Sequence, residues 1–292
     1  MFRLLAVFLL LSASFAACQD PGIPLPEPVS AKRLYSFFIA GHVYGAEGIN
    51  NPGVHPPFKA RFPLIREDSL IERGFFLGDM VYIPGPKGWD EVDADVVSLG
   101  IPVHYVAGNH DMIDRPLYES RYGKTFYAFT ARNDLFIVLD GNLDGWNISG
   151  GQLDFLRTQL DSLGHRVNHV FLFSHQLLWY EPDNNFRQAH PNSLFGRADS
   201  VNFWTEISPL LEALPVDVYC FAGDVGVFPW WDAYMYHRYA NVSLVASGMG
   251  NGETDNFVIV DVWDDQSVSF RLIALNGEDI HALGTLGEYA AP

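Results

Sequence analysis

Five places in the chain set a metal-capable or acid–base side chain just beyond a short apolar run. His42 follows Leu34–Ile39, and Asp79 follows Phe75–Leu77. Asn109, His110 and Asp111 follow Val103–Val106, His175 follows Val170–Phe173, and Asp224 follows Asp217–Phe221. Taken singly, each has a plainer reading: Gly-Asp is a common turn pair, Asn-His-Asp caps helices, and a histidine after a strand is often simply exposed. Taken together they supply carboxylate and amide oxygens with imidazole nitrogens, a mixed donor set suited to Mn²⁺, Fe²⁺ or Zn²⁺. Such an ion polarises a phosphoryl oxygen and lowers the pKa of bound water to about 7 in favourable cases. His110, next to Asn109, is placed to protonate a departing oxygen as general acid. Asp111 is placed to fix its tautomer or hold its charge. Tyr44 and Arg115 stand on the same loops as candidate substrate-binding residues, although a surface arginine needs no such role.

These side chains need a scaffold that brings strand ends together. The apolar runs named above read as buried strands, joined by Thr125–Phe129, Leu135–Leu139, Val242–Ala246, Phe257–Val262 and Val268–Leu272. Leu64–Arg73, Asp90–Leu99, Gly151–Leu163 and Val201–Leu214 read as helices; Leu153, Leu156, Leu160 and Leu163 keep helical spacing. Strands alternating with helices predict an α/β fold with a β-rich C-terminal part, and ligands in such sheets sit at the carboxyl ends of strands. The aromatic cluster Phe228, Trp230 and Trp231, with Trp179 and Tyr180, reads more readily as core than as a platform for a sugar ring. The Gly248–Gly252 run has strands on both sides and no following helix. It reads as a turn at the rim of the site rather than a nucleotide loop.

Composition narrows the partners. The 292 residues are 48% hydrophobic and 18% charged, which is globular, and their formal net charge of −17 disfavours nucleic acid. Two cysteines cannot build a disulfide framework. Arg3 precedes fourteen residues, Leu4–Ala17, that are apolar but fall short of the roughly 20 needed to span a bilayer, so residues 1–17 read as a signal peptide. Phe15-Ala16-Ala17-Cys18 resembles a bacterial lipobox, and the Pro-rich stretch from Cys18 to Ala31 reads as a tether. The expectation is an envelope lipoprotein, periplasmic or attached to the outer membrane, meeting the membrane only through its lipid anchor. Residues 32–292 then form one domain.

The motifs Phe76-Leu77-Gly78-Asp79, Gly108-Asn109-His110-Asp111 and Phe173-Ser174-His175 resemble those of the calcineurin-like metallophosphoesterases, in order and spacing, over nearly all of residues 34–262. The resemblance implies a four-layer α-β-β-α sandwich, two mixed sheets flanked by helices, that hydrolyses phosphomonoesters or diesters with metal ions. Two positions depart from the family pattern. Ala40-Gly41-His42 stands where the family has Asp-x-His, and Gly223-Asp224-Val225-Gly226 where it has Gly-His-x-His. Carried over residue by residue, the ligands of the second ion survive as Asp79, Asn109, His175 and Asp224, whereas the first ion keeps only His42 and Asp79. The resemblance thus implies one well-formed ion site, with two ions only if residues such as Glu47 or His55 replace the missing ligands. His42, released from a full metal site, becomes a candidate base or phosphoryl-binding group. The expected substrate is a phosphorylated small molecule, glycan or lipid head group. The alternative is a catalytically inactive scaffold that binds an envelope glycan or protein partner.

Overall fold

The computed structural model describes residues 31–46, 53–183 and 190–286, and a single compact unit begins at Lys32. Among the described residues, eleven strands make two sheets. The first contains β1 (Arg33–Gly41), β2 (Ile71–Leu77), β3 (Val103–Tyr105), β10 (Asn256–Trp263) and β11 (Val268–Ala274), in the order β11-β10-β1-β2-β3. The second contains β4 (Tyr127–Ala131), β5 (Asp134–Val138), β6 (His169–Phe173), β7 (Asp217–Ala222), β8 (Tyr234–Tyr239) and β9 (Val242–Ser247), in the order β4-β5-β6-β7-β9-β8. Both sheets are mixed: β1-β2-β3 and β5-β6-β7-β9 run parallel, and antiparallel strands flank each set.

Strand alternation explains the layering. In β1, Tyr35, Phe37 and Ile39 face the second sheet while Phe38 and Ala40 face the opposite way; in β6, Phe171 and Phe173 face inward while Val170 and Leu172 face out. Apolar residues on both faces require cover on both sides, as expected of strands from the parallel part of a sheet. Between the sheets, Phe37 meets the rings of Phe75, Phe136, Phe171, Phe173 and Phe221 edge-on, with centroids 5.0–6.1 Å apart. Over the first sheet lie α1 (Pro56–Lys59), α2 (Phe62–Glu67), α3 (Pro86–Leu99) and α4 (Arg115–Tyr122), which bury Phe58, Phe62, Ile65, Trp89 and Tyr118. Over the second lie α5 (Gly150–Leu163) and α6 (Ser208–Glu212), packing Leu153, Leu156, Leu160 and Leu211. The result is the expected four-layer sandwich.

Some local expectations are corrected. The segment from Leu64 to Arg73 is not one helix: α2 ends at Glu67 and β2 begins at Ile71, because Ile71, Phe75 and Phe76 bury themselves beside β1. The region 201–214 is a π-helical turn, Phe203–Ile207, that leads into the short α6, where Pro209 sits in the first turn. The strand β8 and helix α4 carry too few apolar residues to show a period. Trp230 and Trp231 are not core: they are 69% and 42% exposed, while Trp179 and Tyr180 are buried.

Candidate metal centre

The carboxyl ends of the strands converge, and backbone contact makes the convergence tight. A Cβ on Gly41 would overlap the Ser247 carbonyl and Gly223; one on Gly223 would overlap Leu77; one on Gly108 would overlap Asp79. Asp79 and His42 themselves adopt the left-handed region, with φ of 53° and 52°, a strained backbone of the kind held at functional sites.

Asp79, His175 and Asp224 are buried, and one ligand atom from each lies within 4.8 Å of the others. His175 is the hub. Its Nδ1 donates to the Leu77 carbonyl at 2.7 Å, which directs Nε2 towards three oxygens: Asn109 Oδ1 at 3.1 Å, Asp79 Oδ2 at 3.4 Å and Asp224 Oδ1 at 3.7 Å. A backbone carbonyl that fixes one ring nitrogen so that the other faces inward is the usual support of a metal-binding histidine. Both carboxylate oxygens of Asp224 are buried and complete no close hydrogen bond; the His175 ring at 3.7 Å and the backbone N–H groups of Asn192 and Ser193 are what offset their charge. A buried carboxylate so weakly compensated is costly, and a cation would remove the cost.

Electrostatics agree. Burial pushes Asp224 up to about 7. Burial alone would also raise Asp79, but His175, followed by His42 and His110, holds it well below the usual carboxylate range. Burial would lower His175, yet Asp79 and Asp224 outweigh it and lift the imidazole to about 10. A proton on His175 thus balances the acidic cluster, and a divalent cation at the same place would replace it. The chemistry of the donor set fits such an ion.

The remaining candidates separate. His110 donates from Nδ1 to the Tyr82 carbonyl at 2.7 Å, and its backbone N–H donates to Asp79 Oδ1 at 3.0 Å. Its Nε2 lies 3.4 Å from Tyr44 Oη, at the partly exposed edge of the cluster. Asp111 does not touch the His110 ring. Its carboxylate accepts from the backbone N–H groups of Met80, Val81 and Gly108 and clamps the two ligand loops together; burial, with Asp79 nearby, pushes it up to about 7. His42 has both ring nitrogens engaged, Nδ1 with the Met249 carbonyl at 2.8 Å and Nε2 with Tyr44 Oη at 2.9 Å, and burial lowers it to about 4. It is 1% exposed, with both ring nitrogens held inside the protein. Arg115 has a structural partner: its guanidinium pairs with fully buried Asp140 at 2.9 Å and reaches Thr125 and Glu119. The Tyr82 and Met249 carbonyls, which orient the two histidines, are invisible to residue-type reasoning, since any residue carries a carbonyl.

A scan against protein-family models and a search of curated proteins find no match to the sequence. Solved structures do match. Purple acid phosphatase PPD1 from yellow lupin (Lupinus luteus) seeds superposes with a TM-score of 0.61 at 17% identity, over 84% of this chain and 52% of that one. A Staphylococcus aureus protein named as a candidate 5′-nucleotidase, crystallised with alpha-ketoglutarate, gives 0.52 at 12% identity, over 84% and 55%. This chain therefore spans about half the length of each. The fold is that of the calcineurin-like metallophosphoesterases.

On this metallophosphoesterase fold the two sequence departures acquire a physical setting. Ala40 is fully buried and faces the outer core with Phe38 and Phe76. Gly226 has φ +102°, and a Cβ there would lie 2.8 Å from the Met249 nitrogen. His55 lies 3.8 Å from Asp255 and near enough to His42 for the two imidazoles to repel when charged, and Glu47 lies outside the described residues. Among the described residues, the only acidic and imidazole cluster able to hold an ion is the one around His175.

Proposed function

We propose that the chain is a metal-dependent phosphoesterase with one ion centre, formed by Asp79, Asn109, His175 and Asp224. The observation that carries this reading is Asp224: a buried carboxylate that completes no close hydrogen bond and lies 3.7 Å from a histidine whose other nitrogen is fixed by a carbonyl. When bound, the ion polarises a phosphoryl oxygen and activates water. The protein supplies the rest. Asn109, next to His110 on one loop, and Asp79 on the other, which accepts from the His110 backbone N–H, would hold the ion beside the His110 ring. His110, its Nδ1 proton held by Tyr82, offers Nε2 as the atom that hands a proton to the leaving oxygen. Tyr44, gripped by His42, stands against that same nitrogen and sets its direction. The missing first-site ligands leave the two-ion clamp on attacking and leaving oxygens without a second anchor.

Elemental analysis after reconstitution with Mn²⁺ or Zn²⁺ should find about one equivalent, lost in Asp79→Ala and His175→Ala. His110→Ala should keep the metal and lose turnover of phosphate esters. Absence of bound metal in the wild type would favour the inactive-scaffold alternative. Localisation in the envelope on a lipidated Cys18 is part of the proposal. It is supported by the sequence of residues 1–31, nearly all of which lie outside the described residues, and metabolic lipid labelling of wild type against Cys18→Ser tests it.

A further inference from the structure

A cavity of about 440 Å³ opens beside the centre, with Asn109 and His110 at its inner end and Ile113, Trp146, Asn142 and Phe195 among its walls. Three features set its character. First, none of the lining residues is an Asp, Glu, Lys or Arg. Second, one of its polar side chains is already committed: the Asn142 amide donates to the Ala107 carbonyl and Asp140 and accepts from Gln176. Third, its apolar wall is held at a cost. Trp146 is 3% exposed yet sits at φ 73°, a conformation that is strained for such a residue and persists where the surroundings enforce it. The enforcing contacts are its N–H bond to the Gly141 carbonyl at 2.8 Å and the Arg197 guanidinium over its ring. At the mouth, Ile113 and Phe195 are 69% and 88% exposed, so apolar surface continues outward from the cavity.

Because His110 is the proton donor, the group next to it is the leaving alcohol. We infer that this cavity is a leaving-group subsite for an uncharged alcohol with an apolar, ring-sized body, and that phosphate esters of small polar alcohols fill it poorly. The inference rests on the phosphoesterase reading above. A cationic head group in this cavity would meet no charge of opposite sign among its lining residues, and a second phosphate would find only His110, whose Nε2 proton is already committed to the leaving oxygen.

The test compares binding of 2-naphthylmethylphosphonate and methylphosphonate to the Mn²⁺-loaded protein by calorimetry, in wild type and in an Ile113→Ser/Phe195→Ser variant. Both side chains are exposed, so the variant leaves the core intact. The naphthyl ligand should bind at least about tenfold more tightly to the wild type, and the variant should reduce the gap to under about threefold without changing methylphosphonate affinity. Equal affinities in the wild type, or a gap unchanged in the variant, would overturn the subsite. Turnover is read separately with 2-naphthylmethyl phosphate and ethyl phosphate, whose leaving groups are both primary alkoxides. An intact phosphonate gap without turnover supports the subsite and overturns the esterase reading; turnover of both esters with equal kcat/KM does the reverse. Failure of the loaded protein to bind either phosphonate overturns both.

Discussion

Replacing Arg115 by methionine separates a structural arginine from a substrate-binding one. Asp140 is completely buried, and its Oδ2 receives Arg115 Nη1 at 2.9 Å, while Oδ1 keeps two donors, the backbone and side-chain N–H groups of Asn142, each at 2.9 Å. An ion pair at 4 Å is worth about 4 kcal/mol at an effective dielectric of about 20. Arg115 is partly solvated, and half of the Asp140 carboxylate stays satisfied after the change, so the expected loss is about 2–3 kcal/mol, just under the range for breaking a fully buried pair. Urea denaturation should show it as a midpoint shift of roughly 1 M at unchanged slope. Asp140→Asn in the same background should cost less than it does in the wild type, because the charge it removes has already lost its partner. kcat/KM under native conditions should stay within about threefold, the allowance for small movements of Gly141 and Asn142, which follow Asp140 into the cavity wall. An unchanged midpoint with a loss of activity above about tenfold would refute this reasoning and return Arg115 to the substrate.

Four further outcomes follow from the geometry. Chelation should lower Tm and Mn²⁺ restore it, by roughly 5–10 °C at a hundredfold excess over Kd, with no response in His175→Ala, as read by scanning calorimetry. Burial alone would lower the pKa of His169, but its Nδ1 lies 2.8 Å from Asp134 Oδ1 and its Nε2 2.8 Å from the Gln266 carbonyl, which together raise it above the ordinary 6.5. The stability it contributes is therefore complete below pH 6.5 and fades as pH rises through the raised value, so the difference between wild type and His169→Gln in denaturant titrations should shrink with increasing pH. Gly226→His combined with Ala40→Asp should not bind a second equivalent of metal by elemental analysis. The first change meets a positive φ and the Met249 backbone, and the second puts an unpaired carboxylate into the outer core. Phe37→Ala, which empties the space between the sheets, should cost about 3–5 kcal/mol in the same denaturant assay.

What the sequence disclosed depended on whether a property resides in side-chain type or in contact. Strands such as β1, β6, β7 and β10 were legible because double-sided burial writes an uninterrupted apolar run. β8 was not, because Tyr234, Tyr236, His237 and Arg238 at a sheet edge carry no such run. The cluster of Asp79, Asn109, His175 and Asp224 could be anticipated from residue type at strand ends. The contacts of Asp111 and Arg115 could not: that one carboxylate clamps three backbone N–H groups and that the arginine pairs with a buried aspartate is decided by partners that residue type does not name. Trp230 and Trp231 misled for the opposite reason, since hydrophobicity predicts burial only on average.

The glycines at the ends of the strands have a consequence for how such a protein changes over time. Gly41, Gly223 and Gly108 let main chain lie against main chain where the sheets converge, so the spacing of the ion-binding side chains is fixed by peptide planes rather than by the loops beyond them. Those loops carry Ile113, Phe195 and Trp230 out into solvent. Lengthening or rewriting them alters what enters the cavity without moving the cage beneath. On the proposed function, substrate range and ion binding would be separable traits: the first free to drift in the loops, the second locked by residues that have no side chain to vary.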